Sequence, residues 1–230
     1  MVYLHSMSGR PGSPEAFAGY DRLAQATHED LDYRRELRRT HSGVAHIAVH
    51  GGGIEVGTAE AADAVAAANG QDYYAFVGLR STRNNELHIT SVHFDEPLCV
   101  DLQRASQRTV SYHGCAGAAE PIVRLGGADQ DLKWHVGQAL TRSGFTVDWH
   151  TTEDLDGSDP RNICNRNATN AGLQLELSAA LRASFFPGAH TGRAARESGQ
   201  RTETFRRFVT TLASATSALT PNLANLPTEG

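Results

Sequence analysis

The sequence predicts an α/β protein, a single domain in which a sheet is covered on both faces by helices to give three layers. Short apolar runs of about four to eight residues alternate along the chain with segments of helical spacing, the signature of interleaved strands and helices. The length of 230 residues suits one core, since domains run to about 100 to 200 residues. Three of the expected strands finish in a histidine, and open α/β sheets bind ligands outside the carboxyl ends of their strands.

Taken in order, residues 1–15 read as a loose leader, and Pro14 to His28 as a packing helix with Phe17, Tyr20, Leu23 and Ala24 on one face. Val44 to Val49 is an apolar strand that runs into the glycine turn His50-Gly51-Gly52-Gly53-Ile54-Glu55. An alanine-rich helix follows from Thr58, whose hydroxyl is placed to cap it, to Asn69-Gly70. Tyr73 to Leu79 is a second strand, and Leu87 to Val92, with its β-branched residues, a third that ends at His93. Arg108 to Tyr112 and Pro121 to Leu125 are the fourth and fifth, the fourth ending at His113. Asp129 to Arg142 carries Leu132, Val136, Ala139 and Leu140 at helical spacing and stops at Gly144. Phe145 to Trp149 is the sixth strand and Gly172 to Leu177 the seventh, with Glu176 inside it. A helix begins near Ser178, residues 188–201 read as a loose surface loop, and a last helix spans Thr204 to Ala218 before a frayed tail at 220–230.

Composition narrows the function classes. A formal net charge of −5 lacks the basic face that nucleic acid requires, and no apolar run approaches the roughly 20 residues that span a bilayer. Met1 to Gly19 shows no secretory pattern, so the expectation is a cytoplasmic protein that lysis could release. Cys99, Cys115 and Cys164 are an odd number without a C-x-x-C pair, which reads as reduced thiols. Cys115 and Cys164 are expected in the core.

The glycine turn is the first candidate site. His50 sits at a strand end, three glycines leave room beside its imidazole, and Glu55 returns on the far side of the turn. Imidazole nitrogen and carboxylate oxygen suit Zn²⁺, while the same turn read alone also suits a phosphate cradle. Convergence of His50, His93 and His113 from different strands on one sheet edge favours the metal.

The segments HGGGIEVGTAE (50–60), LHITSVHFDEP (87–97), SYHG (111–114), LGG (125–127), NICNR (162–166) and GLQLELSAALR (172–182) together resemble, in that order, the poly-γ-glutamate hydrolase family of bacteriophages and bacteria, over about residues 42–185. The resemblance implies a mixed central sheet with helices on both sides, a likeness to the zinc carboxypeptidases, and one catalytic Zn²⁺. It implies His50, Glu55 and His113 as metal ligands and Glu176 as the catalytic base. Carboxypeptidases place two residues between their first two ligands, whereas four separate His50 from Glu55. His93 competes with His113 as third ligand, and otherwise makes a substrate-facing pair with Asp95.

This chemistry is coherent from the residues upward. Three protein ligands leave a coordination position for water, whose pKa falls to about 7 on zinc. Glu176, opposite Leu175 and Leu177 on its strand, can take that proton and hand it to the leaving amine; the bland alternative is an ion pair with Arg166 or Arg182. A polyanionic γ-glutamyl substrate calls for arginine and amide donors, for which Asn165 and Arg166 come first and Arg80 and Arg83 second. His46, His88, His135 and His150 read as packed, hydrogen-bonded residues. Two other functions stand beside the hydrolase: a metal-free thiol enzyme with Cys115 as nucleophile and His113 as its base, and a non-catalytic polyanion-binding module of the same fold.

Overall fold

The computed structural model describes residues 16–117, 119–149 and 155–217. Seven strands form one mixed sheet in the order β1-β3-β2-β4-β7-β5-β6. They are β1 Tyr33–Arg38, β2 Val44–Gly52, β3 Asp72–Gly78, β4 Arg108–Cys115, β5 Ile122–Gly126, β6 Thr146–Asp148 and β7 Leu173–Ser178. β3, β2, β4 and β7 pair in parallel. β1 runs antiparallel to β3, and the parallel pair β5 and β6 joins β7 antiparallel. The helices are α1 Tyr20–Ala26, α2 Thr58–Asn69, α3 Pro97–Ala105, α4 Gln130–Arg142, α5 Ala179–Ser184, α6 Arg193–Glu197 and α7 Glu203–Ser217. One core lies between the sheet and α2, α4 and α7, and a second between the sheet and α1 and α3. The expected three-layer α/β architecture is what the chain adopts.

Strand β7 explains how a glutamate comes to line a cleft. Leu173, Leu175 and Leu177 enter the core beneath α2, α4 and α7, while Gln174, Glu176 and Ser178, also buried, alternate to the opposite face. A one-residue slip would exchange three leucines, worth about 1.5 to 3 kcal/mol each on burial, for three polar side chains. Burial of the leucines therefore fixes the register that sets Glu176 beside His113 on β4.

Where the expected elements differ, the cause is visible. Leu87 to Val92 is not a strand: a 3-10 turn at Asn84–Leu87 leads into an extended segment laid against the sheet. Leu87 and Ile89 are buried in the second core, which supplies the alternation that resembles a strand. The place beside β3 goes to β1, whose sequence Tyr-Arg-Arg-Glu-Leu-Arg lacks an apolar period. Being an edge strand, β1 carries ion pairs instead: Arg34–Glu36, Arg35 with Glu29 and Glu96, and Arg38–Asp63. Helix α3 also stands where no helix was expected, with Glu96 accepting at its N-terminus from Leu98 and Cys99 N–H groups and Pro97 at the first position. The residue that caps α2 is Gly57, in the left-handed region at φ 94°; the Thr58 hydroxyl donates instead to Glu55 O at 2.8 Å. Residues 188–201 are more ordered than a loose loop, holding α6 and tying it to α2 through Arg196 and Glu60 at 3.4 Å. The leader at 1–15, the tail at 220–230, Ala218 and His150 lie outside the described residues.

Candidate metal centre and catalytic cleft

The register between β2 and β3 shifts between Ala48 and Gly51, so β2 carries one extra residue there. Such a bulge re-aims a side chain. Ala48 points into the core under α2, whereas His50 lies alongside His113 at the end of β4, ring centroids 5.0 Å apart. The glycines after His50 leave no open space, contrary to expectation. A Cβ on Gly52, where φ is +67°, would lie 2.5 Å from Gly78 O, and one on Gly53 2.4 Å from Asn84 Nδ2. The turn is glycine-rich because β3 and Asn84 press against it, and that packing brings Glu55 back under His50.

The result is a three-residue cluster. His50 Nδ1 lies 3.1 Å from His113 Nδ1 and 3.2 Å from Glu55 Oε1, and His113 Nδ1 lies 3.7 Å from Glu55 Oε2. His50 Nε2 meets Ile89 O at 2.8 Å; a carbonyl only accepts, so Nε2 carries a proton and Nδ1 of the neutral ring presents its lone pair to the cluster. His113 Nε2 meets Ser111 Oγ at 2.9 Å, which leaves its Nδ1 facing the same point. The His50 lone pair, the Nδ1 atom of His113 and a carboxylate thus converge on one space, a donor set that suits a cation. Ligand atoms about 2.0 to 2.1 Å from a tetrahedral ion stand about 3.3 Å apart, close to the spacings found. Among the described residues this is the group able to hold a metal ion.

Electrostatics follow from burial. Desolvation pushes the pKa of His113 down to about 3, against the pull of Glu55, so the ring is neutral as a ligand must be. Burial would raise Glu55, but the imidazoles that crowd its carboxylate, His50 foremost and then His113 and His88, favour its charged form and hold it at about 2. Gly114 N–H donates to Glu55 Oε2 at 2.8 Å, fixing the carboxylate against β4. Across the cleft, burial pushes Glu176 well above the usual carboxylate range, the Glu55 charge adds to this, and Arg182, Gln174 and Arg124 oppose it. Its partner is Gln174, whose Nε2 donates to Glu176 Oε1 at 3.0 Å while Gln174 Oε1 accepts from Asn162 Nδ2 at 2.8 Å. Asn162 therefore settles which way the Gln174 amide faces. The cluster and Glu176 open onto one cleft of about 350 Å³.

His88 was expected to pack within a strand, yet it lines this cleft. Its ring stacks on His50 with centroids 3.9 Å apart, and its Nε2 stands 3.8 Å from Glu55 Oε1. The signal lay in the motif: with Leu87 and Ile89 facing inward, His88 and Thr90 had to face the other way. His46 is packed as expected, between Tyr112 OH and Gln71 Oε1 at 2.8 Å each.

The expected substrate-facing residues are not brought to the cleft. Asn165 is buried and wholly engaged in joining loops: its Oδ1 accepts from Gly172 N and Ala128 N, and its Nδ2 donates to Gly157 O and Asp159 O. Arg166 donates to Phe94 O. Asp95 accepts from Tyr20 N at 2.6 Å, at the start of α1, and His93 is exposed beside it. Arg80 pairs with Asp32 and Glu86, and Arg83 with Glu86. Nor do Cys115 and His113 form a dyad. The Cys115 thiol, pushed up by burial, takes a hydrogen bond from Arg124, while His113 turns one ring nitrogen to the cluster and the other to Ser111.

Known proteins share the sequence pattern and the fold of this chain. The family model for poly-γ-glutamate hydrolase matches residues 17–211. The chain belongs to the poly-γ-glutamate hydrolase family. Within that family it is similar to the solved structure of a bacteriophage poly-γ-glutamate hydrolase, with a TM-score of 0.86 and 30% identity over 90% of this chain and 98% of that one. A structure described as zinc-free YNDL gives a TM-score of 0.81 and 29% identity, covering 88% and 97%. The SPβ prophage-derived UPF0714 protein YoqZ of Bacillus subtilis (strain 168) is 35% identical over 199 residues, 86% of this chain and 70% of YoqZ. UPF0714 protein YndL of the same organism is 36% identical over 158 residues, and the chain spans 61% of its length. No helix among the described residues is long and apolar enough to cross a membrane.

Proposed function

We propose that this chain is a zinc-dependent hydrolase that cleaves the γ-glutamyl amide bonds of poly-γ-glutamate or a similar polymer. The observation that carries the reading is the convergence of His50 Nδ1, His113 Nδ1 and the Glu55 carboxylate at ligand spacing, in a member of this family and opposite a buried glutamate. The donor set, two imidazole nitrogens and a carboxylate, fits zinc. His50, Glu55 and His113 would hold it. Bound there, the ion supplies acidification of water and polarisation of the scissile carbonyl.

The remaining steps belong to the protein. Glu176 takes one proton of the attacking water and returns it to the leaving nitrogen, so that cleavage of the amide C–N bond gives a carboxylic acid and an amine, which leave as carboxylate and ammonium once the acid's proton passes to the amine. Burial and the Glu55 charge raise its proton affinity, which suits a group that must hold a proton between the two transfers. Gln174, its orientation set by Asn162, steadies one oxygen of Glu176. Ser111 and Ile89 O hold the distal ring nitrogens of His113 and His50, which keeps both Nδ1 atoms aimed at the ion. Thr90 and Ser91 also line the cleft, Ser91 with its Oγ 3.4 Å from His113 Nε2.

The test is digestion of poly-γ-glutamate by the purified protein, with product sizing. Shortening of the polymer that chelation stops and added zinc restores supports the proposal. Undiminished shortening after exhaustive chelation rejects the zinc-dependent part, and an intact polymer in the presence of zinc rejects the substrate.

A further inference from the structure

Arg182, on α5 directly after β7, lies behind the cleft without lining it. Its guanidinium donates to three backbone carbonyls on three separate segments: Nε to Leu177 O at 3.0 Å, Nη1 to Val56 O at 2.9 Å and Nη2 to Cys115 O at 3.4 Å. Each acceptor adjoins a residue of the site. Leu177 follows Glu176, Val56 follows Glu55, and Cys115 stands two residues beyond His113. The path of the side chain is itself prepared, since a Cβ on Gly114 would lie 2.6 Å from Arg182 Cζ. Gly114 is also the residue whose N–H binds Glu55 Oε2.

The geometry points to Arg182 as a positioning residue that sets the distances among Glu55, His113 and Glu176 by fastening the three chain ends that carry them. A planar fork with five N–H donors can meet three carbonyls in fixed directions, which a lysine ammonium on a flexible stem cannot do. Opening of the turn after β2, of the end of β4 or of the end of β7 would break at least one of these bonds. Arg182 also faces Glu55 and Glu176 electrostatically, so its charge favours both carboxylates staying close.

The inference rests on the roles assigned above to Glu55, His113 and Glu176, and its test has an arm that needs no substrate. Arg182→Ala is expected to fold, to bind zinc about tenfold more weakly in competition with a chelating dye, and to turn over about 100-fold more slowly with KM within twofold. Guanidinium chloride at tens of millimolar, far below the molar range that unfolds proteins, should restore both properties to Arg182→Ala and leave the native enzyme unchanged. Arg182→Lys should fall between the two. A folded Arg182→Ala protein with native zinc affinity and rate overturns the inference, as do losses that guanidinium does not relieve. If Arg182→Ala fails to fold, Gly114→Ala displaces the guanidinium without removing it; the same two losses are expected, and a folded Gly114→Ala protein that retains both properties is equally fatal. Absence of zinc binding by the native chain would instead strike the proposed function.

Discussion

Replacing Glu176 by Gln separates catalysis from structure. The amide keeps the side chain's volume and leaves an oxygen to accept from Gln174 Nε2, now at 3.0 Å from the carboxylate, but it takes no proton from water. Proton transfer by a positioned base contributes about 10²- to 10⁴-fold, so kcat should fall by that factor, about 3 to 5 kcal/mol of activation free energy. KM and zinc affinity should stay within a few-fold. Stability should move the other way. Because burial and Glu55 raise the folded-state pKa of Glu176, its contribution is fully present below the unfolded carboxylate pKa and is lost as pH rises through the folded value. In chelated protein, Glu176→Gln should therefore match the native chain near pH 4 and exceed it at pH 8 in urea denaturation. Product formation from poly-γ-glutamate supplies the kinetic readout. A variant that keeps more than a tenth of native kcat refutes the role of Glu176, and one destabilised at pH 8 refutes the burial argument.

Other expectations follow from the same geometry. His46 is buried with its pKa pushed down to about 4, so stability is complete above the unfolded value of about 6.5 and falls by about 3 kcal/mol between there and pH 4; denaturation across that window should show a slope that His46→Gln flattens. Gly53→Ala drives a Cβ into Asn84, which accepts from Arg80 N and donates to Arg80 O, and should cost about 1 to 3 kcal/mol. Gly52→Ala adds a left-handed φ to a clash with Gly78 O and should cost more, read as a larger drop in Tm. Zinc at 100 times its Kd should stabilise the chain by about 2.7 kcal/mol, an effect that thermal denaturation with and without chelator measures and that Glu55→Ala should abolish.

Much of the fold was legible because burial writes a period into the sequence. Leu173 to Leu177 alternates without interruption, and α4 carries its apolar residues at helical spacing, so both were readable along with the strand that carries His113, which runs two residues further, to Cys115. The same logic hides β1, an edge strand whose arginines and glutamates serve ion pairs, and it creates a false strand at Leu87–Val92, where two buried residues alternate outside the sheet. The helix at Pro97 did have a local signal, Glu96-Pro97 at its start, obscured by the expectation of a strand ending at His93. Within the site, His50, Glu55, His113 and Glu176 are named by residue type, strand position and the family resemblance, whereas His88 reads as a packed strand residue and His93, chosen on the same ground, lies outside the cleft lining. Asn165 and Arg166 could not be told from binding residues, because an amide that joins four backbone groups looks in sequence like one that waits for a ligand. Arg182 is opaque for the same reason: its partners are carbonyls, which carry no residue identity.

The central claim, that His50, Glu55 and His113 form one zinc centre, is tested most directly by elemental analysis of the purified native chain beside folded His50→Ala and His113→Ala variants. The account predicts one zinc per native chain and far less than one in each variant. Stoichiometric zinc in both variants would contradict it.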